Sequence, residues 1–145
     1  GNSSLRIENA GTGGDLTVWS GVGPFDGAKL GKLRFAYRIP AEVKVNLFLQ
    51  VDGRYYAFDF TGGPQPPETC PSLGKIERVQ ADNQWRRAEV DLGSALRRAL
   101  PDRNSLQVDR ICFSAPLVTY YRAGIGGNGW GTKWYLDDFE LTSSR

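Results

Sequence analysis

The chain contains no histidine and only two cysteines among its 145 residues. Without histidine, neither a Ser-His-Asp triad nor a Cys-His pair can be assembled. Cys70 and Cys112 are too few for a zinc-type cysteine cluster. They stand far apart, and their spacing fits either a disulfide or two separate thiols. No apolar run is long enough to cross a membrane as a helix. Neither sign of charge dominates: 18 Lys and Arg against 16 Asp and Glu leave +2, with no long basic run. That balance argues against nucleic acid as a partner. There is no internal repeat and no low-complexity tract.

What is abundant is turn chemistry. The 18 glycines and 8 prolines imply many short elements, and the length suits one domain with a real core. Gly1 to Ser4 read as an appended remnant or the end of a linker. Residues 5–145 read as a single domain taken from a longer protein, with attached neighbouring domains expected.

The strongest local pattern runs from Val43 to Thr61. Val43, Val45, Leu47, Leu49 and Val51 alternate with polar or aromatic residues, the period of a half-buried strand. Asp52-Gly53 follows, a pair favoured in a type I′ turn. A two-residue loop there sets Val51 opposite Arg54, Leu49 opposite Tyr56 and Leu47 opposite Phe58. One face of this hairpin is then wholly apolar. The other carries Asn46, Phe48, Gln50, Tyr55 and Asp59. Rings that stack on C–H faces, amides and a carboxylate would suit a sugar there, and an ordinary solvated sheet face fits the same residues.

Further strands are expected at Leu5–Glu8, Leu16–Trp19, Lys32–Ile39, Leu73–Gln80, Trp85–Leu92, Val108–Ala115 and Lys133–Leu141. A short helix is expected over Ala95–Leu100, capped by Ser94 and stopped by Pro101. Many short strands with turn signals between them predict an all-β sandwich with one short helix. The Gly-rich segment Leu117–Thr132 carries Tyr120, Tyr121 and Trp130, and loops of this kind are often functional.

The later half also resembles a known fold family. W-x-x-x-x-V-D-L from Trp85, S-A-L-R-R-A-L-P from Ser94, V-D-R-I-C-F-S-A from Val108 and W-Y-L-D-D-F-E-L from Trp134 resemble galactose-binding-like jelly rolls. Among these they look most like the non-catalytic carbohydrate-binding modules of bacterial secreted or surface proteins. The resemblance implies a polysaccharide or oligosaccharide ligand and a secreted or cell-surface location. It implies a structural calcium near the chain ends, with Asp137 on the family's aspartate and Glu8 as its early-strand partner. It also implies two alternative ligand sites. One is the sheet face of Asn46, Phe48, Gln50, Tyr55 and Asp59, joined by Arg87 or Arg110. The other is the edge loops with Trp19, Phe25, Tyr120, Tyr121 and Trp130. Trp85 and Trp134 are expected in the core or at its margin.

An enzyme is the weaker expectation. Asp59 and Glu89 both project outward in these registers and are the carboxylates available for glycoside hydrolysis, but no motif surrounds them. A purely architectural module, its aromatic loop anchoring a protein partner, is the alternative to a sugar binder. Surplus arginines near the proposed face hint at an acidic or sulfated glycan.

Overall fold

In the computed structural model, which describes residues 3–10, 17–19, 23–64, 70–116 and 128–143, the alternating segments become ten strands and one helix. The strands are β1 (Leu5–Glu8), β2 (Thr17–Trp19), β3 (Phe25–Asp26), β4 (Lys32–Arg38), β5 (Asn46–Val51), β6 (Arg54–Asp59), β7 (Ser72–Lys75), β8 (Trp85–Asp91), β9 (Gln107–Ser114) and β10 (Lys133–Thr142). The helix α1 (Leu92–Ala99) lies between β8 and β9. One sheet has four strands in the order β1-β10-β4-β8. The other has the order β2-β9-β5-β6-β7, with β3 also pairing with β9. The protein is an all-β sandwich with a single short helix among the described residues.

The hairpin has the expected register, with Val51 opposite Arg54, Leu49 opposite Tyr56 and Leu47 opposite Phe58. Asp52 and Gly53 both take positive φ, 51° and 76°, which is the type I′ requirement. The inward rows of the two sheets meet in an aromatic cluster. Phe35 and Tyr37 from β4 and Trp134 from β10 meet Phe60, just past the end of β6, and Phe113 from β9, with ring centroids 5.1 to 6.0 Å apart. Tilted and edge-on pairs of this kind add about 0.5–1.5 kcal/mol each beyond the area they bury.

Three local expectations need correction. The helix starts at Leu92, and its N-cap is Asp91, whose carboxylate accepts from the Ser94 amide at 2.9 Å and the Ser94 hydroxyl at 2.8 Å. Ser94 lies inside the first turn because Leu92 and Ala95 both have core to bury against. The strand expected over Leu73–Gln80 is only β7, and it pairs parallel to β6. Its last tie to β6 is the Ile76 amide, which donates to the Asp59 carbonyl just past the end of β7. Phe25, placed in a loop by the glycines around it, forms β3 opposite Val108 and is buried.

Candidate functional site

The outer face of the four-stranded sheet follows from strand parity. In β8, Ala88 and Val90 point inward, so Trp85, Arg87 and Glu89 point out. In β4, Ala36 and Arg38 oppose inward Phe35 and Tyr37, and in β10 Tyr135 and Asp137 oppose inward Trp134 and Leu136. Registry assembles these into rows. Tyr135 lies opposite Arg38, which lies opposite Trp85; Asp137 lies opposite Ala36, which lies opposite Arg87.

The first row is a ridge of two rings with a cation between their strands. The Trp85 and Tyr135 centroids are 6.4 Å apart, and the Arg38 guanidinium stands 5.7 Å from the Tyr135 centroid. Arg38 is held there by its Nε, which donates to the Asn83 carbonyl at 3.0 Å. A hollow flanks the ridge on each side. One, of about 300 Å³, is lined by Arg38, Glu42, Asn83, Trp130, Lys133 and Tyr135 among others. The other, of about 210 Å³, has Ala36 among its lining residues, with Trp85, Arg86, Arg87, Asp137 and Asp138 around it. The missing side-chain bulk at Ala36 opens this second hollow. A bulge in β10 after Asp137, with Asp138 at φ 50°, lets Asp138 accept from Arg87 at 3.0 Å.

Trp130 stands at the first hollow and is 77 % exposed. Its turn is anything but loose. Thr132 donates its amide and hydroxyl to the Gly129 carbonyl, and Gly131 takes a φ of 83°. Buried Asn9 donates its side-chain amide to the Asn128 and Gly129 carbonyls, and its backbone pairs with Gly131 and Thr132. Buried Asn128 bonds both backbone groups of Lys44, at 2.7 and 2.9 Å. Two interior asparagines therefore hold an exposed indole in place. A large apolar ring on a hydrogen-bonded turn, left in water beside the first hollow, has the geometry to stack on a flat ligand.

The hairpin's outer face is different from its expected form. Asn46 is 0 % exposed, and its amide is committed to the backbone: Oδ1 accepts from the Phe60 and Gly62 amides and Nδ2 donates to the Gly63 carbonyl. Phe48 is 2 % exposed and packs with Ala57, Cys70 and Cys112, with Tyr55 against them. This small second core removes Asn46 and Phe48 from any ligand surface. Gln50, Tyr55 and Asp59 remain partly exposed there, and burial raises the Asp59 carboxyl above its ordinary value while Lys75 works against the rise. Arg110 faces Gln50 and stands 5.5 Å from the Trp19 centroid. Arg87 does not join this face, because β8 belongs to the other sheet.

Of the edge-loop residues, Phe25 is core, Trp19 lies on β2, and Tyr120 and Tyr121 lie outside the described residues. Trp130 thus lies at the first hollow beside Arg38 and Tyr135, Arg87 and Asp137 line the second hollow of the same sheet, and Gln50, Tyr55 and Asp59 stay on the opposite side. Trp85, at 47 % exposure, belongs to the surface and not to the core, whereas Trp134 is fully buried. Tyr135, Arg38, Asn83 and Glu42 were missed. The alternation within β4, β8 and β10 held the signal for the first two, since the apolar positions there fix which residues face out.

Glu8 and Asp137 cannot share an ion. Glu8 is registered with Lys133, and Asp137 is four residues further along β10, about 13 Å at strand rise. Ligands of one calcium each lie within about 2.6 Å of it. Glu8 turns instead toward Arg6, at 3.7 Å. Asp59 and Glu89 are likewise separated, one on each outer face of the sandwich, so both sheets stand between them. A hydrolytic carboxylate pair needs a gap of roughly 5–9.5 Å across a shared cleft. Glu89 is also held below the usual carboxylate range, by its bonds from Arg34 first and Lys32 second, which suits an ion-pair partner and not a proton donor.

The cysteines are both free and both buried in the second core. Desolvation pushes each thiol up to about 11, with Arg54 partly offsetting this at Cys70. At neutral pH they are inert, packed hydrophobes.

No protein-family model matches this sequence, and no curated protein matches it.

Proposed function

We propose that this sandwich is a non-catalytic carbohydrate-binding module. It docks a polysaccharide or oligosaccharide on the outer face of the four-stranded sheet and so holds an attached protein to that polymer. The observation that carries the reading is the strip of Trp130, Tyr135 and Trp85 set among guanidinium, amide and carboxylate groups, with hollows on both sides of the ridge. Pyranose rings present apolar C–H faces to aromatic rings and hydroxyls to amides and carboxylates, and the strip offers both kinds of partner in one line.

A binder needs no acid–base pair; Asp138 is engaged with Arg87, Asp137 with the bulge of β10 and Glu89 with Arg34 and Lys32, which leaves Glu42 as the carboxylate beside Trp130. The later motifs of the chain, which resemble galactose-binding-like modules, agree with this role and with a secreted or cell-surface setting. A glycan array probed with the wild type, Trp130→Ala and Tyr55→Ala tests it. Binding that Trp130→Ala abolishes and Tyr55→Ala leaves intact supports the strip. No glycan binding by a folded wild type would favour an architectural module that anchors a protein neighbour instead.

A further inference from the structure

The cations on the strands of the four-stranded sheet divide into two groups. Lys32 and Arg34 both bind Glu89, Arg6 lies beside Glu8, Arg86 binds Asp82 and Arg87 binds Asp138. Two cations form no ion pair among the described residues, Arg38 and Lys133, and both line the hollow beside Trp130; Lys133 stands across from Glu8, whose ion pair is with Arg6. Arg38 spends its Nε on Asn83 and lies over Tyr135, which leaves its terminal nitrogens uncommitted. Lys133 is exposed on the neighbouring strand, one row away, about 6.7 Å along the sheet.

We infer that this hollow takes an anionic sugar residue, a uronate or a sulfated unit of a polysaccharide, stacked on Trp130 with its acidic group between Arg38 and Lys133. The inference rests on the carbohydrate-binding reading and narrows its ligand class. Guanidinium and ammonium groups that form no ion pair of their own are the donors that carboxylate and sulfate oxygens recognise, and an anionic sugar gives both a charged partner that a neutral sugar lacks. Glu42 also lines the hollow, and its negative charge opposes such a ligand. It therefore limits affinity at this position and supplies a test of sign.

The test is titration calorimetry with four probes in two matched pairs: homogalacturonan oligomers against the same oligomers with reduced carboxyls, and dextran sulfate against dextran. The charged member of at least one pair should bind roughly ten-fold tighter than its neutral partner, the weight of one charge-assisted hydrogen bond. A preference in the first pair identifies a uronate site, and in the second a sulfate site. Arg38→Gln and Lys133→Gln should each erase most of the difference, and Glu42→Gln should enlarge it. Lys133 is exposed, so its variant keeps the test valid if Arg38→Gln disturbs the fold. Arg98→Gln, an exposed change on α1 away from the strip, should leave the difference unchanged.

Equal binding within each pair, with Trp130→Ala still abolishing it, would overturn the anionic ligand while leaving the carbohydrate reading standing. A preference that Arg98→Gln weakens as much as Lys133→Gln would reduce it to general charge attraction and overturn the inference too. Failure of both charged probes to bind would also overturn it. Loss of all glycan binding on the array, by contrast, would remove the reading on which it rests.

Discussion

Trp85 and Tyr135 come from strands on opposite sides of β4, and their ring centroids lie 6.4 Å apart, with Arg38 rising from the strand between them. No local stretch of chain places these residues together. Their neighbourhood is made by the antiparallel order β10-β4-β8 and by two registers that agree at one row.

Substitution in that row should separate binding from folding. Trp85→Ala removes a ring that is half in water, so it should cost about 1 kcal/mol or less in stability. Glycan affinity should fall roughly ten-fold or more, as for a central aromatic contact of an interface. Denaturant melts and binding isotherms on the same preparation check both halves.

The asparagine clamp should matter through Trp130 without touching ligand. Asn9→Ala takes the side-chain donor from the Asn128 and Gly129 carbonyls. The cost should be about 1–3 kcal/mol, as for buried groups left unmet. Affinity should drop with it, although the indole itself is intact. Asn9→Asp, which keeps one acceptor shape but loses the donor, should not restore either.

Asn46→Ala is expected to behave in the opposite way. It removes the acceptor for the Phe60 and Gly62 amides and the donor to Gly63, so stability should fall by about 1–3 kcal/mol. Below the melting transition, affinity per folded molecule should be unchanged. A calorimetric melt paired with a titration distinguishes this from a binding defect.

Much of the fold was legible because periodicity and turn chemistry acted together. Asp52-Gly53 needs two positive φ values and so pins the hairpin, and the apolar set from Leu47 to Val51 makes a register slip costly. The helix cap was misplaced by one turn because Asp91 ends an alternating strand, and a strand end and an N-cap are the same residue here. The site was half legible. Alternation in β8 puts Trp85 on the side of Arg87 and Glu89, yet the usual burial of tryptophan argued the other way. What periodicity cannot carry is which sheet a strand joins. That assignment moved Arg87 away from the hairpin, and the second core over Phe48 and Ala57 closed a face that alternation alone would leave in water.

Acid should weaken the fold through carboxylates held low. Glu89 is lowered by Arg34 and Lys32, and Asp82 by Arg86. At Asp91 burial pushes upward, and the bonds from Ser94 outweigh it, leaving a net lowering. A depressed native value means the unfolded chain binds protons first. The stability from these groups is therefore present above the ordinary values of 3.8 for Asp and 4.5 for Glu, and is lost as pH falls below them. Asp91→Asn should flatten the decline in midpoint temperature across that range.

The thiols act at the other end of the scale. Both cysteines are raised from 9.0 to about 11, so the unfolded chain ionises first and stability should decline as pH rises from 9 toward 11. In the native protein at neutral pH, iodoacetamide should label neither residue at a rate near that of a free thiol. In denaturant it should label both.

The most direct measurement is a heteronuclear NMR titration that follows the four tryptophan indole N–H resonances as a bound glycan is added. Trp130 and Trp85 should shift together and saturate at one stoichiometry. Trp134, sealed in the core, and Trp19, on the opposite sheet, should stay in place. Shifts at Trp19 with Trp130 and Trp85 unmoved would put the ligand on the six-stranded sheet and contradict the account.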